Sequence, residues 1–356
     1  MKTITKMKIV LFCENKYAID ILNPIQEEGQ KDSDNQILWY VHKKKIADFP
    51  LKDQVNYTNS IQEIYDFKPD AIFCPGNIVP YYLSGVKIQI FHGYAAEKKD
   101  HWVIRRYFDT YFTQGPFFTA GFEKLAKKYK DFEVLETGWP RQDWIFQHKN
   151  DFEAQKQELL KKHGKKELVL YAPTFSPSLT SLPKFKEGLV DFVNKQDVLL
   201  ILKFHPLTKQ EWNDEYKALA ANHDNILWIE DYTVTKYMLM ADAMISDTSS
   251  TIYEFLLLDK PVITLDAVAK DIYWKNITDP MQLSKAYDEI KTDGKLTELR
   301  QWIIKNYDPY NDGNVAKRML EGAKDYIRRH GVPEKRKLNL WRKYTSIKTF
   351  GKIKKN

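Results

Sequence analysis

The chain has 356 residues, 43% of them hydrophobic and 14% aromatic, with a formal net charge of +7. That length exceeds what one compact core holds and predicts two domains of similar size, with ample apolar material for both interiors. Met1 to Val10 lacks the apolar core of a signal peptide and no run approaches a membrane span, which predicts a protein kept on the cytosolic side.

Strands and helices alternate along the sequence. In the first half, buried strands are predicted over Lys8 to Cys13, Gln36 to Val41, Ala71 to Cys74, Lys87 to Phe91, Thr110 to Thr113 and Glu133 to Glu136. Helix-compatible stretches, Asn15 to Glu28 and Phe117 to Tyr129, lie between them. Asp151 to His163 reads as a charged connecting helix. The second half resumes with strands at Leu168 to Ala172, Val198 to Phe204, Ile226 to Ile229, Ala243 to Ile245 and Val262 to Leu265.

This alternation predicts an α/β protein with two doubly wound parallel sheets. The expected architecture is two Rossmann-like domains facing across a cleft, residues 1–150 and 151–332, followed by a basic tail at 333–356. Cys13 and Cys74 fall inside apparent strands without metal-ligand spacing and are expected to be reduced and buried. The first strand runs into Glu14-Asn15-Lys16 rather than a glycine-rich turn, and no Walker A loop is present. Both absences argue against dehydrogenases and P-loop enzymes.

The charge is unevenly placed. Residues 333–356 carry nine Lys or Arg against one acid, Glu334, so residues 1–332 are left close to neutrality at −1. A basic nucleic-acid-binding body is thereby excluded. Leu338, Leu340, Trp341, Tyr344, Ile347, Phe350 and Ile353 are interleaved with the tail cations, a pattern suited to an anionic membrane surface. The competing reading is a helix packed on the body.

The most informative stretch runs from Ala243 to Phe255. A short strand stops at Asp247-Thr248-Ser249-Ser250-Thr251, and a helix bearing Ile252 and Phe255 starts at once. Hydroxyl side chains, unpaired backbone N–H groups and the helix dipole together predict a phosphate cradle at the carboxyl end of a strand. His92, between a strand and Gly93, and His205, between a strand and Pro206, repeat one arrangement in each half. They suit a general base and a phosphate ligand. The other six histidines (42, 101, 148, 163, 223 and 330) are expected at the surface. Asp32-Ser33-Asp34 is read as a turn rather than a metal motif, and no cluster suggests zinc.

Several motifs follow in order: Phe91-His92-Gly93, Gly138-Trp139-Pro140-Arg141-Gln142-Asp143, Tyr171-Ala172-Pro173-Thr174-Phe175 and Lys203-Phe204-His205-Pro206. Asp242-x4-Asp247-Thr248-Ser249-Ser250-x3-Glu254-Phe255-x5-Pro261 and Tyr310-Asn311-Asp312-Gly313 complete the series. It resembles the CDP-glycerol glycerophosphotransferase family, which includes the teichoic acid primases and polymerases. The resemblance implies a GT-B fold, a base at His92 and donor phosphate contacts at His205, Ser249 and Ser250. Thr248, Asp247, Glu254, Thr174 and Arg141 are the further expected donor-binding residues. The implied reaction moves glycerol phosphate, or ribitol phosphate, from a CDP-alditol to a hydroxyl of a lipid-linked or glycan acceptor in cell-surface polymer synthesis, releasing CMP. No cofactor is obligatory; Mg²⁺ would come with the nucleotide. The expected place is the cytosolic face of the membrane, held through 333–356. A GT-B glycosyltransferase using a nucleotide sugar, with Glu254 on a ribose hydroxyl, is the alternative. So is a catalytically silent scaffold of a polysaccharide assembly complex.

Overall fold

The computed structural model describes residues 6–94, 96, 98–231 and 233–354. The chain forms two compact units. Residues 1–147 and 307–356 make the first, and residues 148–306 make the second.

The first unit is built on a seven-stranded parallel sheet. Its strands are β1 (Lys8–Cys13), β2 (Gln36–Val41), β3 (Tyr57–Thr58), β4 (Ala71–Cys74), β5 (Val86–Gln89), β6 (Thr110–Thr113) and β7 (Glu133–Glu136). Their order in the sheet is β3-β2-β1-β4-β5-β6-β7. The second unit holds six parallel strands, β8 (Glu167–Tyr171), β9 (Val198–Leu202), β10 (Ile226–Trp228), β11 (Ala243–Ser246), β12 (Val262–Leu265) and β13 (Lys275–Ile277). Their order is β10-β9-β8-β11-β12-β13. Runs such as Ile-Val-Leu-Phe in β1 and Val-Leu-Leu-Ile-Leu in β9 are buried throughout because helices cover both faces of a parallel sheet. The chain reverses its direction of strand addition between β1 and β4 in one sheet and between β8 and β11 in the other. Those two switch points are where open α/β sheets bind ligands.

The strands expected from the sequence are present within two residues of their ends, and the doubly wound α/β class holds. The two short edge strands β3 and β13 carry no run of apolar residues and were not expected. Cys13 and Cys74 are free and fully buried. Asp34 N–H bonds the Asp32 carboxylate at 3.2 Å, so the Asp-Ser-Asp stretch is a turn. No helix among the described residues is long and apolar enough to cross a membrane.

The expected second domain, 151–332, needs correction at its end. Helix Val315–His330 buries Val315, Ala316, Met319, Leu320, Ala323 and Ile327 on the first unit, not the second. At Gly322 a Cβ would come 2.3 Å from the Leu135 Cδ2 methyl and 3.1 Å from the Phe112 ring, so a larger residue would require Leu135 to shift. Its N-terminus is held by Asp143, whose carboxylate accepts the N–H groups of Val315 (2.8 Å) and Ala316 (2.7 Å). A buried acid on a helix start satisfies donors that have no partner inside the helix.

The tail also differs from a free membrane-seeking segment. Helix Leu340–Phe350 is capped by Asn339, which accepts Arg342 N–H at 2.9 Å. Leu338, Phe350 and Ile353 pack on the core of the first unit, with the Phe350 ring 5.5 Å from that of Phe12. Arg336 pairs with the buried carboxylate of Asp109 at 2.8 Å, and Gly85 N–H bonds Pro333 O at 2.8 Å. The packed-helix reading describes this face. The opposite face leaves Leu340, Trp341 and Tyr344 at 83%, 70% and 58% exposure.

Removing residues 333–356 is therefore expected to lower stability by about 3 kcal/mol. Three half-buried apolar side chains contribute about 1 kcal/mol each, and Asp109 would lose its cation besides. Urea denaturation of the truncated chain measures this; an unchanged midpoint would show that the tail's contacts carry no stability.

Candidate active site

In the second unit the strand ends at the switch point form one connected cluster. Tyr171 ends β8 and Ser246 ends β11, so Thr174 and Asp247 emerge side by side. The Asp247 carboxylate is fully buried and accepts four hydrogen bonds: from Thr174 N (2.9 Å), Ser181 N (2.8 Å), Ser181 Oγ (3.0 Å) and Thr248 N (2.6 Å). Burial raises its pKa and these donors oppose the rise. With its lone pairs directed inward, Asp247 positions the two loops and does not itself face a ligand, a correction to its expected role.

The hydroxyl run takes up different duties from those expected. Ser249 Oγ lies 2.8 Å from Thr251 Oγ1, and Thr248 Oγ1 accepts Val268 N–H at 3.0 Å. Ser250 stands at the N-cap of helix Thr251–Leu256 without a side-chain capping bond. Among the described residues, no hydrogen bond uses the backbone N–H of Ser249 or Ser250. Those two donors and the exposed Ser250 hydroxyl remain available at the sheet edge. The helix itself has only six residues, so its dipole adds little beyond these end groups. Glu254 is buried in that helix at 6% exposure.

His205 joins the cluster through Phe175, whose ring stacks on the imidazole at 4.4 Å. Leu207 N–H donates to His205 Nδ1 at 3.1 Å. An Nδ1 that accepts carries no proton, so Nε2 bears the hydrogen and acts as a donor. Partial desolvation and then Lys203 lower the His205 pKa, which favours the neutral imidazole over the protonated one.

His92 shows the complementary state. It follows β5 in the first unit, and its Nδ1 lies 3.2 Å from the carbonyl of Pro75. A carbonyl only accepts, so Nδ1 carries the proton and Nε2 presents a lone pair. The Tyr17 ring stands 5.5 Å away. Desolvation lowers the His92 pKa, with the Pro75 bond opposing and Lys98 reinforcing the shift. Ala95 and Glu97, in the loop after it, lie outside the described residues.

His101 was expected at the surface. It sits instead in an aromatic cluster, 4.9 Å from Phe91 and 5.7 Å from Phe122, and burial pushes its pKa down to about 3. Arg141 belongs to the first unit, beside Trp139 at 5.9 Å, and so stands in a different unit from Thr174, Thr248, Ser249 and Ser250.

The sequence reading also missed Asp308. Fully enclosed, it accepts Tyr94 Oη (2.6 Å), Trp139 N (2.9 Å) and Tyr310 N (3.2 Å), and burial raises its pKa to about 8. Asp308 and Asp143 thus bind the Gly-Trp-Pro-Arg and Tyr-Asn-Asp-Gly segments to one another. Gly138, at φ +90° and with Val315 and Tyr310 within about 3 Å of where a Cβ would stand, is the glycine this junction requires. No three His, Cys, Asp or Glu side chains converge as a metal site among the described residues.

Residues 5–322 match the family described as CDP-Glycerol:Poly(glycerophosphate) glycerophosphotransferase. The chain belongs to this family. It is 27% identical over 227 residues to the teichoic acid glycerol-phosphate primase of Bacillus spizizenii, a match covering 56% of each chain. Over 240 residues it is 24% identical to the corresponding primase of Bacillus subtilis, covering 62% of this chain and 60% of the other. The match thus spans less than two thirds of these relatives' length. Among solved structures, the wall teichoic acid polymerase TagF superposes with a TM-score of 0.66 at 17% identity, covering 90% of this chain and 89% of that one. A UDP-GlcNAc 2-epimerase from Neisseria meningitidis, bound to UDP-GlcNAc, gives 0.62 at 14%, covering 88% and 99%. These likenesses show the GT-B fold that the family resemblance implied.

The histidine states give a direct expectation. In an NMR titration of the free protein, His92 and His205 should both change charge below pH 6.5, because the surrounding protein partly desolvates the imidazolium although both side chains remain exposed. A midpoint above 7 for either would show that a nearby anion, not burial, dominates its surroundings.

Proposed function

We propose that this chain transfers glycerol phosphate from CDP-glycerol to an acceptor hydroxyl, releasing CMP, in the synthesis of a teichoic-acid-like polymer. The observation that carries this reading is the complementary pair of histidines. His92 offers a lone pair at Nε2, as a base requires, and His205 offers an Nε2–H, as an anionic oxygen requires. Membership of the family and the relatives' names support the same chemistry. CDP-ribitol is the second donor of this class, since the chain is also 29% identical over 161 residues to a Staphylococcus aureus teichoic acid ribitol-phosphate polymerase.

In the proposed reaction His92 Nε2 takes the proton of the acceptor hydroxyl. The oxygen attacks the phosphorus that bears glycerol, and the bond from that phosphorus to the bridging oxygen breaks. CMP leaves with the electron pair. Transfer of this kind asks the protein for positioning and for stabilisation of spread negative charge. The Ser249 and Ser250 N–H groups, the Ser250 hydroxyl and His205 Nε2–H supply donors for the diphosphate. A Mg²⁺ ion, if used, would enter bound to that diphosphate.

His92→Ala should lower turnover by about 10²-fold or more while CDP-glycerol affinity stays unchanged. His205→Ala should weaken donor binding as well. CMP release and calorimetric titration with CDP-glycerol measure the two effects; full activity in His92→Ala would overturn the mechanism.

The proposal extends to place. The exposed Leu340, Trp341 and Tyr344 share one face of their helix, and Lys335, Lys337, Lys348, Lys352 and Lys354 are exposed in the same C-terminal segment. An apolar, aromatic face in an exposed basic segment suits the cytosolic face of an anionic membrane, where a lipid-linked acceptor would lie. The triple substitution of Leu340, Trp341 and Tyr344 by alanine should abolish sedimentation with phosphatidylglycerol vesicles. Because those side chains are already in water, the melting temperature should stay the same. Vesicle binding equal to that of the unsubstituted chain would refute this placement.

A further inference from the structure

Glu14 is the first residue after β1, and the mechanism above makes no use of it. Its side chain is 6% exposed, yet no described residue donates a hydrogen bond to its carboxylate. Buried carboxylates ordinarily collect donors, as Asp247, Asp308 and Asp143 do in this protein. Cys13 and Cys74, its buried neighbours, are neutral thiols whose pKa values are themselves raised, and Lys45 acts on it only as a charge. Burial consequently holds the Glu14 pKa at about 7. The carboxylate thus lacks a compensating hydrogen-bond donor among the described residues.

Its position suggests what compensates it. β1 and β4 flank the switch point of the first sheet, so Glu14 and the Pro75–Gly76 peptide emerge at the edge where ligands bind. Pro75 O takes the Nδ1 proton of His92, and Glu14 Oε2 reaches the other residue of the same peptide, 2.4 Å from where a Gly76 Cβ would stand. Gln89 Nε2 donates to Gly76 O, the carbonyl of the next peptide, at 2.7 Å and so helps to fix Gly76. Two acceptors, His92 Nε2 and the Glu14 carboxylate, therefore flank one fixed peptide unit, with Tyr17 beside the imidazole.

We propose that Glu14 and His92 form the acceptor subsite and that it takes a vicinal diol, the reacting hydroxyl on His92 Nε2 and its neighbour on Glu14. The inference rests on the transfer reaction proposed above and adds the chemical class of the acceptor terminus. Glu14 keeps its hydrogen bond throughout. The only proton transferred goes from the reacting hydroxyl to His92, as the new phosphorus–oxygen bond forms.

The test uses the full chain, CDP-glycerol, and two small acceptors that differ by one hydroxyl, sn-glycerol 3-phosphate and 1,3-propanediol monophosphate. The unsubstituted protein should prefer the diol by ~10-fold or more in kcat/KM, because a site built to bond a hydroxyl rejects an analogue lacking it. Glu14→Ala should raise KM for glycerol 3-phosphate by about the same factor and erase the preference, leaving KM for CDP-glycerol and for the propanediol compound unchanged. Glu14→Gln, which keeps an acceptor oxygen, should recover part of the preference. Gly76→Ala, whose Cβ would displace the carboxylate, should act like Glu14→Ala. Equal use of both acceptors by the unsubstituted chain overturns the diol subsite alone. So does a Glu14→Ala variant that slows both acceptors alike. A chain that neither releases CMP nor binds cytidine nucleotides overturns the transfer reaction and this inference with it.

Discussion

Asp247 remains buried in the second unit because four donors from three stretches of chain converge on its carboxylate. The arrangement is costly to break, since each orphaned buried donor loses about 1–3 kcal/mol. It is also informative about where the chain is rigid. Loops leaving the carboxyl ends of parallel strands carry N–H groups that no ladder can satisfy, and a single acid fastens two such loops together. The Thr174 and Thr248 backbones are set by that bond, and Phe175, next in sequence, carries the stacking contact to His205. The geometry of this cluster thus depends on a residue whose own carboxylate is taken up by these four donors.

The first unit solves the same problem twice and to a different end. Asp143 and Asp308 accept N–H groups from Val315, Ala316, Trp139 and Tyr310, which brings a segment from late in the chain onto the N-terminal sheet. Helix Val315–His330 and the tail helix then cover its apolar surface. A basic tail that composition alone assigns to a membrane is held at its root by the Arg336–Asp109 pair, and it keeps a separate face for whatever lies outside. One helix does both: Leu340 and Tyr344, at i and i+4, share an exposed face, while Ser346 on another face is fully buried.

The two histidines show how backbone contacts assign roles to one side chain. Both follow a strand, and both are pushed towards the neutral state by desolvation. They differ in the partner at Nδ1, a carbonyl for His92 and an N–H for His205. That difference turns one Nε2 into an acceptor and the other into a donor. Glu14 is the contrasting case, a buried acid at a switch point that no donor of the described protein meets.

Much of the architecture was legible in the sequence. Buried parallel strands are continuous apolar runs, so β1, β4 and β12 could be read to the residue; β2, β6 and β7 have the expected bounds although polar residues end them. The motif series pointed to the family. The short edge strands were not legible, because a two- or three-residue ladder at an edge needs little apolar character. Nor was the return of residues 307–332 to the first unit, where the carboxylate of Asp143, far away in sequence, holds the start of the helix. His101 looked like a surface histidine because only the folded chain surrounds it with Phe91, Phe118 and Phe122. Asp247 looked like a ligand for a related reason. Strand and helix patterns are local and survive in one dimension. Which lone pair of a histidine or carboxylate is left open is set by backbone groups that the tertiary structure brings from elsewhere, and only the tertiary structure decided it.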